Sequence, residues 1–170
     1  MNTRRVVVMR HSKSSWKDNL PDHERPLAGR GRRDGKAAGE LFERIGVRPD
    51  LVLCSTSTRT RQTWDRLQLG GARVEPVEYR PDVYHAAGAD LLGIVRDTPD
   101  EVRTLLLISH WPAVQELVEL LATPDPTDEN WRSLSEKFPT SALAIVQLPG
   151  QWADAGKRDA DLLAFHVPRG

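Results

Sequence analysis

Three short stretches hold the residues that could do chemistry. Val6-Val7-Val8-Met9 runs straight into Arg10-His11-Ser12-Lys13-Ser14. Leu51-Val52-Leu53-Cys54 runs into Ser55-Thr56-Ser57-Thr58-Arg59. Thr104-Leu105-Leu106-Leu107-Ile108 runs into Ser109-His110-Trp111-Pro112. Each time an apolar run ends in cations, imidazoles or hydroxyls. A guanidinium matches two anion oxygens at once, and an unprotonated imidazole offers a lone pair. Together they suit an anion whose oxygens are neutralised while one ring nitrogen attacks it.

These groups have to be positioned by strands. The apolar runs are short and partly β-branched, which reads as buried strand rather than helix. The polar residues after each run then lie at a carboxyl edge of the sheet, where open α/β sheets bind ligands. Ser55, Thr56 and Ser57 are N-cap candidates for a helix over about 57–67, and Arg59 falls in its first turn, where free N–H groups favour anions. Pro112 fits the first turn of a helix over 112–121, with Val114, Leu117, Val118 and Leu121 at helical spacing. Further helices are expected over 28–45, with Leu41, Phe42 and Ile45 facing in, over 89–96 and over 130–137. Gly46 resembles the stop of the first helix. Strands are expected over 5–10, 51–54, 73–78, 104–108, 142–148 and 161–167. The last two have no helix between them and read as a hairpin. The alternation argues for an α/β sandwich. The loop 12–27 is long, polar and proline-containing, a length that is usually functional. Trp16 and Trp111 fall in the proposed site loops, Trp64 and Trp131 look like packing residues, and Trp152 like a hairpin cover.

Composition narrows the classes. The 170 residues fit one domain, 1–170, with a proper core. Lys plus Arg is 24 and Asp plus Glu is 24, so the net charge is zero. That argues against a general nucleic-acid or membrane-surface binder. Cys54 is the only cysteine, which precludes an intrachain disulfide and suits a reducing compartment. It reads as a small buried hydrophobe. No signal peptide and no membrane span is apparent, and the expected location is cytoplasmic. No His/Cys/Asp cluster has metal-ligand spacing, so neither a metal nor another cofactor is expected.

Arg10-His11, the Ser-x-x-x-Arg-x-x-Gln-Thr pattern from Ser55 to Thr63, and Ser109-His110-Trp111-Pro112 resemble the histidine phosphatase, or phosphoglycerate-mutase-like, superfamily. The nearest branch looks like the small SixA-type phosphohistidine phosphatases. Asp22-His23-Glu24-Arg25-Pro26-Leu27, Val83-Tyr84-His85-Ala86 and Pro139-Thr140-Ser141-Ala142-Leu143-Ala144 extend the likeness over nearly the whole chain. It implies a three-layer α/β/α sandwich around a mostly parallel sheet of about six strands. It also implies a phosphatase that forms a phosphohistidine intermediate on His11, later hydrolysed by water.

Arg10 and Arg59 would then clamp the phosphoryl oxygens. His110 would donate from a second side, chiefly when protonated. A flanking anion favours that form and desolvation opposes it; the alternative is a structural histidine at a strand end. Arg25 is either a third guanidinium or a salt-bridge anchor for the long loop. Ser14 and Ser55 are either phosphate ligands or turn formers. Where many family members place an acid after the third strand, this chain has His85, with Asp82 three residues earlier. A phosphoramidate leaving nitrogen is easily protonated, so a missing carboxylate favours phosphohistidine over a sugar phosphate. The short chain lacks a large insertion to form a lid, which implies an open site able to admit a phosphorylated protein. The alternatives are a phosphatase or mutase acting on small phosphate esters, and a non-catalytic phosphate-binding module.

Overall fold

The computed structural model describes residues 3–73 and 76–169. Among the described residues six strands form one sheet: β1 Arg4–Arg10, β2 Leu51–Ser55, β3 Val77–Arg80, β4 Thr104–Ser109, β5 Leu143–Leu148 and β6 Asp161–His166. Their spatial order is β3-β2-β4-β1-β5-β6. β1 is parallel to β4, and β2 is parallel to β3 and β4, while β5 is antiparallel to β1 and β6. Five strands therefore share one direction and β5 alone opposes it. This is the mostly parallel sheet the sequence suggested, closed by the β5–β6 hairpin.

Successive residues of a strand face opposite sides, so each central strand supplies two cores. Val7, Met9, Val52, Cys54, Leu106 and Ile108 pack beneath α1 (Gly29–Ile45) and α2 (Thr58–Gly70), against Phe42, Trp64 and Leu67. Val6, Val8, Leu53, Leu105 and Leu107 face the other way, toward α4 (Gly88–Arg96), α5 (Ala113–Leu121) and α6 (Glu129–Glu136). A short α3 (Pro81–Tyr84) lies between β3 and α4. The result is an α/β/α sandwich. All four apolar residues expected on α5 are fully buried.

Several expectations need correction. The strand expected over 73–78 is β3, Val77–Arg80. Pro76 has no N–H for the ladder and its carbonyl accepts from Val52, so regular pairing begins at Val77. Val74 and Glu75 of that expectation lie outside the described residues. Pro81, with φ preset for a helix, starts α3 directly after the strand. Ile45, expected to face in, is 41% exposed at the last turn of α1. Trp152 is no cover: it is buried in the second core and its indole N–H donates to Val102 O at 2.8 Å.

The helix expected to end at Leu67 runs on to Gly70 because of how it meets α1. A Cβ on Gly39 would overlap the Leu67 carbonyl, and one on Gly70 would overlap the Lys36 carbonyl. The two glycines let the backbones cross in contact. α2 begins as expected: Ser57 is the N-cap, its side chain accepting from Thr60 N.

Candidate active site

The carboxyl ends of β1, β2 and β4 meet at one place. His11 is the first residue beyond β1. Its N–H donates to Ser109 O and its carbonyl accepts from Ser141 N, both at 3.0 Å. Ser12 N donates to Thr63 Oγ1 at 2.9 Å, and Ser141 Oγ donates to Ser12 Oγ at 2.6 Å. The backbone under His11 is thus braced from β4, α2 and the approach to β5.

The His11 ring is buried, and its Nδ1 lies 2.7 Å from Ser12 O. A carbonyl only accepts, so Nδ1 carries the hydrogen and Nε2 keeps its lone pair. Desolvation drives the pKa down to about 3. The Ser12 bond opposes this shift, and His110, Arg59 and Arg10 reinforce it. The ring is neutral at pH 7.

His110 follows β4, with its ring centroid 5.3 Å from that of His11. Its Nδ1 is 3.3 Å from Arg59 Nη2 and its Nε2 is 2.8 Å from Ser55 Oγ. A guanidinium cannot accept, so Nδ1 accepts and Nε2–H donates to the serine. Desolvation, then Arg59, lowers its pKa to about 4 against the weaker pull of Asp22. His110, like His11, is neutral at pH 7.

Arg59 and Arg10 act on this pair, and Arg25 joins them through Asp22. Arg59, in the first turn of α2, donates from Nη1 to Asp22 O at 2.7 Å and from Nη2 to Asp22 Oδ2 at 3.0 Å. Arg25 donates from Nη1 to Ser14 Oγ at 2.7 Å and from Nη2 to Asp22 Oδ1 at 3.2 Å. Arg10 donates from Nη1 to Phe138 O at 2.8 Å. The Nε atoms of Arg10, Arg25 and Arg59 are buried and have no hydrogen-bond partner among the described residues.

Asp22 organises the cluster, and the sequence reading did not single it out as a site residue. Besides both arginines, its Oδ2 accepts from the Tyr84 hydroxyl at 2.7 Å. The Tyr84 bond first, then Arg59 and Arg25, hold its carboxyl down at about 2 against partial burial. Tyr84 was missed as well. Its ring packs against His110 at 5.5 Å and against His23 and His85 at 4.7 Å each. His23 reaches Thr56 Oγ1 at 2.8 Å. The only sequence signal was that Asp22 and Tyr84 fall inside motifs quoted for other residues.

Of the residues expected at the site, His11, Arg10, Arg59, His110, Ser55, Arg25 and Ser14 come together. Ser55 is the partner of His110, and Ser14 the partner of Arg25. Arg25 does the anchoring considered for it, through Asp22 and Ser14. His85 stands on the rim: it is exposed, with its ring against Tyr84. Asp82 is engaged by Arg80 at 3.0 and 2.7 Å, away from this cluster of bonds.

Paired histidines and arginines at the carboxyl edge of such a sheet are the setting of a phosphoryl-handling fold. The match to known proteins makes this specific: residues 6–118 match the model of the histidine phosphatase superfamily, branch 1, and the chain belongs to that superfamily. An uncharacterized protein of Mycobacterium tuberculosis is 40% identical over 162 residues, covering 95% of this chain and all of its own length. Among solved structures, a candidate phosphohistidine phosphatase SixA from Nakamurella multipartitia superposes with a TM-score of 0.86 at 28% identity. The match covers 100% of this chain and 99% of that one. The protein histidine phosphatase SixA complexed with tungstate shares the fold, with a TM-score of 0.73 at 23% identity over 97% of each chain.

Proposed function

We propose that this chain is a phosphatase, with phosphohistidine carried on a protein as its substrate. The observation that carries the reading is the state of His11: a neutral ring, its Nδ1 hydrogen engaged by Ser12 O, within a group of three guanidiniums. Nε2 is then the nucleophile. Its lone pair attacks phosphorus while the bond from phosphorus to the substrate nitrogen breaks. The leaving imidazole keeps the electron pair and takes a proton. Water next attacks the phosphorus on His11, releasing inorganic phosphate and restoring the neutral ring.

Arg10, Arg25 and Arg59 hold the phosphoryl oxygens through both steps, supplying the positive charge that the transferred group requires, so the reaction needs no metal. When the anion draws Arg59 away from His110, the Nδ1 lone pair is released and the anion's charge favours protonation there. His110 then becomes a donor to the phosphoryl group. His85, exposed on the rim against Tyr84, is the proton donor assigned to the leaving group in this reading. Asp82, tied to Arg80, is the weaker candidate.

The test is acid-quench trapping of labelled phosphate. Wild type should retain label and His11→Ala none, with turnover abolished and inorganic phosphate binding largely kept. Arg59→Ala should weaken both binding and turnover. Equal retention by wild type and His11→Ala would remove His11 as the acceptor. Binding with no turnover in wild type, against phosphohistidine protein and small esters alike, would leave a phosphate-binding module.

A further inference from the structure

Residues 10–36 hold eight Lys and Arg against four Asp and Glu, in a chain whose net charge is zero. Part of these cations border a groove of about 710 Å³ bounded by residues 14–18 and 26–29 together with Arg32. Lys17 and Arg32 stand in its wall. The Arg33 guanidinium lies over Gly29, which also lines the groove, with Nη1 3.5 Å from where a Cβ would sit. Asp18 is the one acid in that wall among the described residues. Trp16 is 73% exposed while the Arg25 guanidinium carbon stands 3.5 Å from its ring centroid. Hydrogen bonds link the groove to the phosphate clamp: its Ser14 accepts from Arg25, and Arg25 shares Asp22 with Arg59.

We propose that this groove and its basic rim form the docking surface for the phosphorylated protein, taking an acidic polypeptide segment that flanks the phosphorylated side chain. The inference rests on the phosphatase reading and adds where the rest of the substrate sits. A phosphoryl group and one imidazole occupy only the His11 pocket, and a small phosphate ester has no atoms to place beside Trp16. An exposed tryptophan set among arginines is the composition of an interface anchor. Rim cations around it attract an acidic partner and raise its rate of encounter.

The experiment compares three substrates: a phosphohistidine peptide with Asp and Glu flanks, one of equal length with Lys and Arg flanks, and phosphoramidate. Wild type should prefer the acidic peptide over the basic one by about tenfold or more in kcat/KM. The preference should shrink as salt is raised. The double variant Lys17→Glu/Arg33→Glu should bring the ratio near one, with phosphoramidate turnover and Tm unchanged. Equal use of the two peptides by wild type, or a preference that survives in the variant, overturns the docking surface and leaves the phosphatase reading intact. Failure on all three substrates overturns both.

Discussion

Asp22 shows how much one carboxylate can set. It accepts from two arginines and a tyrosine, and so fixes where the Arg59 and Arg25 forks lie before any anion arrives. Asp22→Asn keeps the shape but removes the charge that holds both guanidiniums. Hydrogen bonds to charged groups are the strong ones, so kcat/KM for phosphoramidate should fall on the order of tenfold to a hundredfold, with an unchanged far-UV spectrum. Activity within twofold of wild type would show that the forks need no such anchor. Arg10, His11, Arg59 and His110 were legible in the sequence because each interrupts or closely follows an apolar run. Asp22 was not, because its partners are remote: Arg59 lies 37 positions away and Tyr84 lies 62 away. Nothing in a polar loop reveals which distant cation it will meet.

The elements were easier to read than the contacts. β1, β2 and β4 are buried on both faces, so their apolar runs are continuous, and their bounds came out within a residue or so. β3 is a four-residue edge strand with no fully buried residue, and it begins only after Pro76. An edge of that kind leaves little hydrophobic pattern. The overrun of α2 has a different origin: Gly70 reads as a helix stop by propensity, yet the crossing with α1 needs a glycine there. Gly39→Ala tests this crossing. Its methyl group would meet backbone rather than a yielding side chain, so the cost should be about 3 kcal/mol. That corresponds to a Tm lower by on the order of 10 °C in a thermal melt. A Tm within 2 °C of wild type would mean the helices separate at no cost. Phosphate binding should change far less than stability, because Gly39 lies well along α1, roughly three turns from the site loop.

Over the whole molecule, the buried His11 ring and the half-buried His110 ring tie folding to pH. The unfolded rings titrate near pH 6.5, and the folded ones near 3 for His11 and 4 for His110. Between these limits the unfolded chain binds more protons, so stability falls as pH falls from about 6.5 toward 4. His11→Ala and His110→Ala should each lose less stability than wild type between pH 7 and pH 5, measured by denaturant midpoints at the two pH values. Equal losses in all three proteins would place the acid sensitivity elsewhere. The same shift keeps His11 neutral in mild acid, so label trapping should persist at pH 5.

β1 has β4 on one side and β5 on the other. The strand that delivers His11 is made long before one of its two neighbours, which comes from Leu143–Leu148. Ser141, which braces residues 11 and 12, comes equally late. During translation the imidazole must therefore wait for more than a hundred further residues before its surroundings can close. A nascent chain halted at Leu121 would carry every arginine and histidine of the pocket and still lack the strand that seals it.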